Sequence, residues 1–510
     1  MVLLSLLFLC VSLRLGVVFS LLLFSSFSFR LSTSSHCRCP MTSAASNFAA
    51  RLASAIGASR VSADPAECTE YAVDEIVPAA VAKPSATEEV AEIVRFAALE
   101  KLALIPCGNR SKLEIGMPPS RYDLALDMTG LNQIAHYDPG DLTVGVDAGA
   151  NFNDLAAPLF KQKQFLPLLV PFYFESTIGG IIASGLDSSL RHSCGTARDF
   201  LIGAEFVDGT GRLCKSGGRV VKNVTGYDLH KLLIGSLGTV AVITRLNFRT
   251  FPAPPASRSF VLSFSAPRDA LVFSNLVERS PIRPASLDLV SPRLIELFVE
   301  AEKNSSQPPT AALKGEFPAG SWHLCVSVEG SPQVCERASR EFAELAASST
   351  AKPAQFVTLN ENEGAGLWHY VSQFISFLLE ACPLTAIFKI TILPSRLAPL
   401  LEQLRALADQ ASLPYAVLAR ACGVLYFSLL LPSDEHESLN SASLQPLAEA
   451  TSAVFSFCTS ENACAYLPWC PNQLKRQVNT WGSPRADFGL MRRLKSAFDP
   501  QNLFAPGRFL

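Results

Sequence analysis

Charge is scarce in this chain and nearly balanced. Of 510 residues 17% are charged, and 43 lysines and arginines against 45 acids leave a formal net charge of −2. No basic footprint for nucleic acid follows from that balance, and neither terminus carries a run of one sign. Cysteine is present, at 14, but never as C-x-x-C. Cys37 and Cys39 flank one residue, while Cys458, Cys464 and Cys470 stand six apart. These spacings speak against a structural zinc or a ferredoxin-type cluster, so no metal site is expected. A disulfide framework belongs to small secreted chains, so most of these thiols read as small buried hydrophobes. Acids are missing altogether before Asp64.

What replaces charge is apolar surface. Hydrophobic residues make up 49% of the chain, which fits a globular protein of two or three domains. Residues 1–40 are a separate case: the first 29 form an almost unbroken apolar run, interrupted by Arg14. Three readings stand open: a secretory signal, a single membrane span, or a mis-assigned start. The third is favoured, because Met41-Thr42-Ser43-Ala44 reads as an ordinary soluble beginning.

Glycine is the residue around which the chain is organised. The stretch 217–244 carries Gly217, Gly218, Gly226, Gly235 and Gly238 and closes on the apolar run Val240-Ala241-Val242-Ile243. A second cluster is Thr177-Ile178-Gly179-Gly180, followed by Ala183, Ser184, Gly185 and Asp187. A third segment is the polar turn Pro106-Cys107-Gly108-Asn109-Arg110-Ser111 with Lys112 after it. Glycine at this density serves where backbone turns sharply or presses against a flat ligand. Bare amides beside Arg110 and Lys112 suit a pyrophosphate. Together the three segments predict a large, phosphate-bearing cofactor.

The pattern around them alternates strands and helices. Ser85 with Glu88 reads as a capping box before the stripe Val90, Ile93, Val94 and Ala97. A buried strand is expected over 101–105, making a βαβ unit. Half-buried strands are expected over 124–128 and 143–148, with Asp138-Pro139-Gly140-Asp141 as the turn between them. Residues 151–162 read as a helix despite Pro158, and 172–187 as a glycine-bearing loop. Asp208-Gly209-Thr210-Gly211 predicts a hairpin between strands at 200–207 and 212–215. The run 227–233 reads as a short amphipathic helix. Pro252, Pro254 and Pro255 mark a domain break. Beyond it, strand and helix signals predict an antiparallel sheet backed by helices, compatible with two ferredoxin-like units.

These motifs, in this order, resemble the flavoproteins with a vanillyl-alcohol-oxidase-like, or PCMH-type, FAD domain. The resemblance is carried by Pro106 through Ser111, Ser176-Thr177-Ile178-Gly179-Gly180, Arg198-Asp199-Phe200 and Val221-Lys222-Asn223-Val224-Thr225-Gly226-Tyr227-Asp228. Gly235-Ser236-Leu237-Gly238-Thr239, Phe498-Asp499-Pro500 and Pro506-Gly507-Arg508 complete it. Inside that family the chain is similar to the FAD-binding subunit of bacterial glycolate oxidases. The resemblance implies an α+β fold: an FAD domain of two subdomains at 75–255, a ferredoxin-like cap at 256–490, and a segment at 491–510 returning to the FAD domain. It implies that residues 106–112 and 177–180 hold the pyrophosphate. Ala183, Ser184, Gly185 and Asp187 would line the flavin, with Lys222, Gly235, Gly238, Thr239 and Ile243 packed around it. No histidine stands in the 106–112 turn, so FAD is expected to be non-covalent.

The implied activity is oxidation of a 2-hydroxy acid of the glycolate or D-lactate type, by hydride transfer to flavin. The implied partners are a second flavin subunit and an iron–sulfur subunit, in a cytoplasmic or membrane-associated complex. That chemistry needs a base for the hydroxyl proton and a cation for the carboxylate. Where the family carries a histidine-rich strand-loop, this chain has Ala419-Arg420-Ala421-Cys422-Gly423-Val424, with neither histidine nor aspartate. His192 and Arg420 are the catalytic candidates left, and Lys389 is a further candidate for the carboxylate. Two other functions stay open: a non-catalytic flavin-binding scaffold for a sister subunit, and a free-standing sugar or alcohol oxidase of the same fold.

Overall fold

The computed structural model describes residues 43–219, 226–304, 317–431 and 444–509. Residues 1–40, Lys222 with its neighbours 220–225, and most of the 304–318 stretch lie outside the described residues.

Three sheets carry the α+β architecture. The first holds β1 (Val61–Ser62), β2 (Ala80–Ala82), β3 (Leu104–Cys107) and β4 (Leu124–Asp127) in the order β1-β2-β4-β3. β2, β4 and β3 run parallel, and α1 (Thr87–Glu100) makes the crossover from β2 to β3. Val90, Ile93, Val94 and Ala97 are the buried stripe of α1, as its spacing predicts. Its start differs from the expectation. Ala86 is the N-cap and makes no side-chain bond, while the Ser85 amide donates to Glu89 rather than pairing with Glu88. β3 is displaced too, beginning at Leu104 where 101–105 was expected.

The second sheet is antiparallel: β5 (Ile134–Asp138), β6 (Thr143–Asp147), β8 (Leu201–Val207), β9 (Leu213–Gly217) and β10 (Val242–Arg249), ordered β5-β6-β10-β8-β9. Here the turn at 138–141 joins β6 to β5, a strand missing from the sequence reading, and not to residues 124–128. β4 belongs to the parallel sheet and is buried at all four positions, because parallel sheets are covered on both faces. The ribbon β7 (Gln164–Phe165) with β11 (Phe251–Pro252) follows the helix α2 (Phe152–Lys161). Residues 178–184 form a helix, α3 (Ile178–Ser184), and not a loop. The 227–233 run gives only one 3-10 turn, Leu229–Leu232.

The third sheet has eight antiparallel strands: β12 (Ala256–Phe264), β13 (Ser286–Val290), β14 (Trp322–Gly330), β15 (Gln355–Leu359), β16 (Ala386–Thr391), β17 (Tyr415–Arg420), β18 (Val424–Leu429) and β19 (Cys464–Trp469). Their order is β15-β12-β14-β13-β17-β18-β16-β19. Each half reads 4-1-3-2 from its outer edge, the ferredoxin-like order, and the halves meet at the β13–β17 seam. Four helices back one face: α4 (Pro267–Arg279), α6 (Pro332–Ser348), α7 (Leu397–Gln410) and α8 (Gln445–Ser460). An added helix, α5 (Pro292–Asn304), lies between β13 and β14 in the chain.

Period-two alternation sorts the residues of this sheet. Leu287, Leu289, Phe388, Val417, Ala419, Leu425 and Phe427 join the helix-side core. Val290, Ile387, Leu418 and Tyr426 join a core shared with β6, α3 and β10. Asp288, Lys389 and Arg420 fall in step with the second set, so this face turns charged residues toward the first half of the chain. Finally α9 (Phe488–Phe498) leads the chain back to β3. Leu104 donates to Leu503, and Ala505 donates to Leu104, at 2.8 and 2.9 Å. Among the described residues no helix is long and apolar enough to cross a membrane.

Candidate functional site

The glycine segments converge on one cavity. β3 ends at Cys107, and the turn after it lies against the start of α3. A β-carbon on Gly108 would stand 2.1 Å from the Thr177 hydroxyl, so only glycine fits there. Thr177 is also the N-cap of α3 and accepts from the Gly180 amide at 3.2 Å. Ser111 and Ser176 share a hydrogen bond of 3.0 Å, and Lys112 donates to both hydroxyls. Gly179 donates to the Ala148 carbonyl at 2.7 Å. The third segment closes from the other side. A β-carbon on Gly238 would stand 3.2 Å from the ring of Pro106, and Leu237 donates to Ala183 at 2.9 Å.

All seven residues Pro106, Cys107, Gly108, Asn109, Arg110, Ser111 and Lys112 line the cavity. Thr177, Gly179, Gly180, Ala183, Ser184, Gly238 and Ile243 line it with them. Five expected residues do not. Ile178 is wholly buried in the core beneath α3. Gly185 ends α3 at a positive φ and presses on Gly235, leaving no room for a β-carbon on Gly185. Thr239 is buried and donates to the Ser236 carbonyl. Asp187 points into the third sheet. The cavity also takes Leu237, inside the 235–239 segment expected around the flavin, and Leu113, Met128, Ala148, Ala241 and Arg508, which the sequence does not assign to it.

The residues fit a dinucleotide with a diphosphate. The amide-bearing turn at 108–111 suits phosphate oxygens, with the start of α3 held against it, its 178–180 amides bonded to Ala150, Ala148 and Thr177; Ala183, Ala241 and Ile243 make a small apolar wall for a ring. Lys112 supplies charge. Burial pushes its ammonium down to about 7, against a weaker pull upward from Glu175. Its bonding partners are the two serine hydroxyls. No histidine is among the lining residues.

The catalytic candidates lie elsewhere. His192 sits in the short helix Arg191–Cys194 and meets Glu278 at 3.2 Å. Arg420 is buried at the seam of the third sheet. Its Nη1 donates to Asp288 at 3.0 Å and to Ser189 at 2.6 Å, and its Nη2 to the Asp187 carbonyl at 3.2 Å. Asp187 in turn accepts from Arg191 at 2.8 Å and from the Tyr426 hydroxyl at 2.9 Å, with Lys389 at 3.4 Å. Lys389 reaches back to the Gly185 carbonyl that ends α3, at 3.2 Å. Burial works against the charge on Asp187. Lys389, Arg420 and Arg191 together outweigh it and hold the carboxyl well below its usual range. These groups answer one another across the junction of α3 with the third sheet.

Comparison with known proteins finds two family regions along the chain. Residues 78–217 match the FAD binding domain, and residues 253–428 with 474–509 match the C-terminal domain of FAD linked oxidases. Over 174 residues the chain is 35% identical to glycolate oxidase subunit GlcE of Escherichia coli strain K12, covering 34% of this chain and 49% of that one. It thus spans about half the length of that relative. Over 441 residues it is 23% identical to glycolate oxidase subunit GlcD of Bacillus subtilis strain 168, covering 85% and 89%. Among solved structures, p-cresol methylhydroxylase with substrate bound superposes with a TM-score of 0.69 at 15% identity, covering 92% of this chain and 97% of that one. At that identity the likeness is one of fold.

Proposed function

The chain belongs to the FAD-linked oxidoreductases with a PCMH-type FAD-binding domain, and from that premise we propose that it is the FAD-binding component of a multi-subunit 2-hydroxy-acid dehydrogenase. Its substrate is a small acid of the glycolate or D-lactate type, converted to the 2-oxo acid. The observation that carries this reading is the contact of Gly108 with Thr177 beside Lys112, which brings the 106–112 turn, the capped start of α3 and a buried cation to one cavity. Residues 75–255 are the FAD-binding unit, 256–490 the cap, and 491–510 the segment that returns.

Bound FAD supplies a hydride acceptor. The chain's own part is to hold it without a covalent bond. The turns at 106–112 and 177–180 meet the diphosphate, and Ala183, Ser184 and Ile243 flank the ring. The GlcE and GlcD relatives are both named as subunits, which supports a complex, with a second flavin subunit and an iron–sulfur subunit as the partners we propose.

One observation favours a second reading, a flavin-binding scaffold for a catalytic sister subunit. Lys389 and Arg420 already face Asp187 and Asp288, so neither cation is left open for a substrate carboxylate. The turn at 421–423 between β17 and β18 carries no histidine.

The experiment is the visible spectrum of the purified protein, followed by anaerobic mixing with glycolate and with D-lactate. Bleaching of a flavin band by either acid is the expected result. A flavin band that neither acid changes would favour the scaffold, and a colourless protein that takes up no added FAD would sink both readings.

A further inference from the structure

Three cations line the glycine cavity. Arg110 is engaged beside it, over the Tyr71 ring and 3.6 Å from Glu70, and the other two come from distant parts of the chain. Lys112 follows β3, while Arg508 arrives through α9 and the tail that pairs with β3. Arg508 is 3% exposed. Its Nη2 donates to the carbonyls of Leu113 and Ile115, and its Nε is buried without a partner. Asp74, whose charge is felt at Arg508, is paired at 2.7 Å with Lys475. Lys475 also donates to the Glu114 carbonyl, at 2.6 Å. Thus three successive carbonyls, of Leu113, Glu114 and Ile115, are held by cations from the last forty residues. Glu175 stands near Lys112 without closing an ion pair with it.

Buried charge without a counter-charge is costly, and a guanidinium with an unused donor suits a phosphate. Burial lowers the proton affinity of both Arg508 and Lys112, and no acidic residue is among those lining the cavity. We propose that Arg508 is a direct anion ligand of this cavity and, with Lys112, neutralises the diphosphate of bound FAD. The proposal rests on the FAD reading above. It makes the site a joint product of residues 106–112 and of the tail, and it sets Arg508 apart from Lys475, which only positions the turn.

The test uses the full chain stripped of flavin, with FAD and ADP as probes at low and high salt. Arg508→Met should weaken both probes by about tenfold or more, the scale of a lost charged hydrogen bond, and should flatten the salt dependence of binding. Arg508→Lys should restore the salt dependence. Lys475→Met should lower the melting temperature of the flavin-free protein and leave the salt dependence unchanged. In the wild type, FAD should slow amide exchange in the peptide bearing Arg508 as well as in 106–115, a readout independent of how any variant folds. Arg508→Met binding with an unaltered salt dependence, or a wild-type tail unprotected by FAD, would overturn the proposal. A wild type that binds no FAD at all would instead remove the reading on which it stands.

Discussion

Gly108 lies so close to Thr177 that one added methyl group would stand 2.1 Å from the threonine hydroxyl and 2.8 Å from its methyl carbon. Gly108→Ala therefore forces the 106–112 turn away from α3. Overpacking of this kind costs about 1–3 kcal/mol, and FAD affinity should fall with it. Thr177→Ala alone removes an N-cap bond and costs about 1 kcal/mol. The double variant should lose less than the two single losses added, because the clash goes with the side chain. Denaturant melts of the four proteins measure that coupling; strict additivity would mean the turn and the helix do not press on each other.

Lys112 gives the site a proton signature. Its folded value, about 7, lies below the usual 10.5. Between those values the unfolded chain binds more protons, so this group makes the flavin-free protein more stable as pH rises through that window. A diphosphate beside the ammonium reverses the effect of burial, and FAD binding at pH 8 should then take up a proton. Calorimetry in buffers of different ionisation heat measures the uptake. Lys112→Met should abolish it and weaken binding together; an unchanged uptake in that variant would place the proton elsewhere.

The seam between the third sheet and α3 should be acid-sensitive. Asp187 is held well below its usual 3.8 by Lys389, Arg420 and Arg191 against the opposing effect of burial. Its stabilising contribution is present above that usual value and is lost as pH falls below it. Asp187→Asn leaves Lys389 and Arg420 short of a carboxylate and should cost about 3–5 kcal/mol near neutrality. Its loss relative to wild type should shrink in acid. Replacing both Asp288 and Arg420 with apolar residues of similar size should cost less than removing either charge alone, as read by urea melts.

The cavity was legible where glycine marks a place with no room for a side chain. Gly108, Gly179 and Gly238 announced three contacts without any knowledge of distance, because each reports directly on backbone proximity. Gly179 and Gly180 misled in another respect. The pair suggested a loop, yet they lie inside α3, where Thr177 caps the first turn and Ala148 needs the close approach. Met128, Ala148 and Ala241 carry no mark, since an apolar residue on a cavity wall looks like any core residue. Arg508 had been noted in its Pro-Gly-Arg motif. Its bond to Leu113 spans 395 positions, and no local pattern can report that. Arg420 was marked as a candidate, but its buried pairing was not: a charge in step with Leu418 on an apolar strand face demands a buried partner.

Residues 503–505 lie beside β3, so the first sheet acquires its outer neighbour from the tail. On the ribosome β3, its crossover helix and the glycine turns all emerge long before that neighbour exists. A nascent chain thus exposes a bare strand edge through most of its own synthesis. On the proposal that Arg508 meets the diphosphate, flavin loading is a late event, complete only once residues 503–508 have left the exit tunnel, and it belongs to maturation of the polypeptide and not to its early folding.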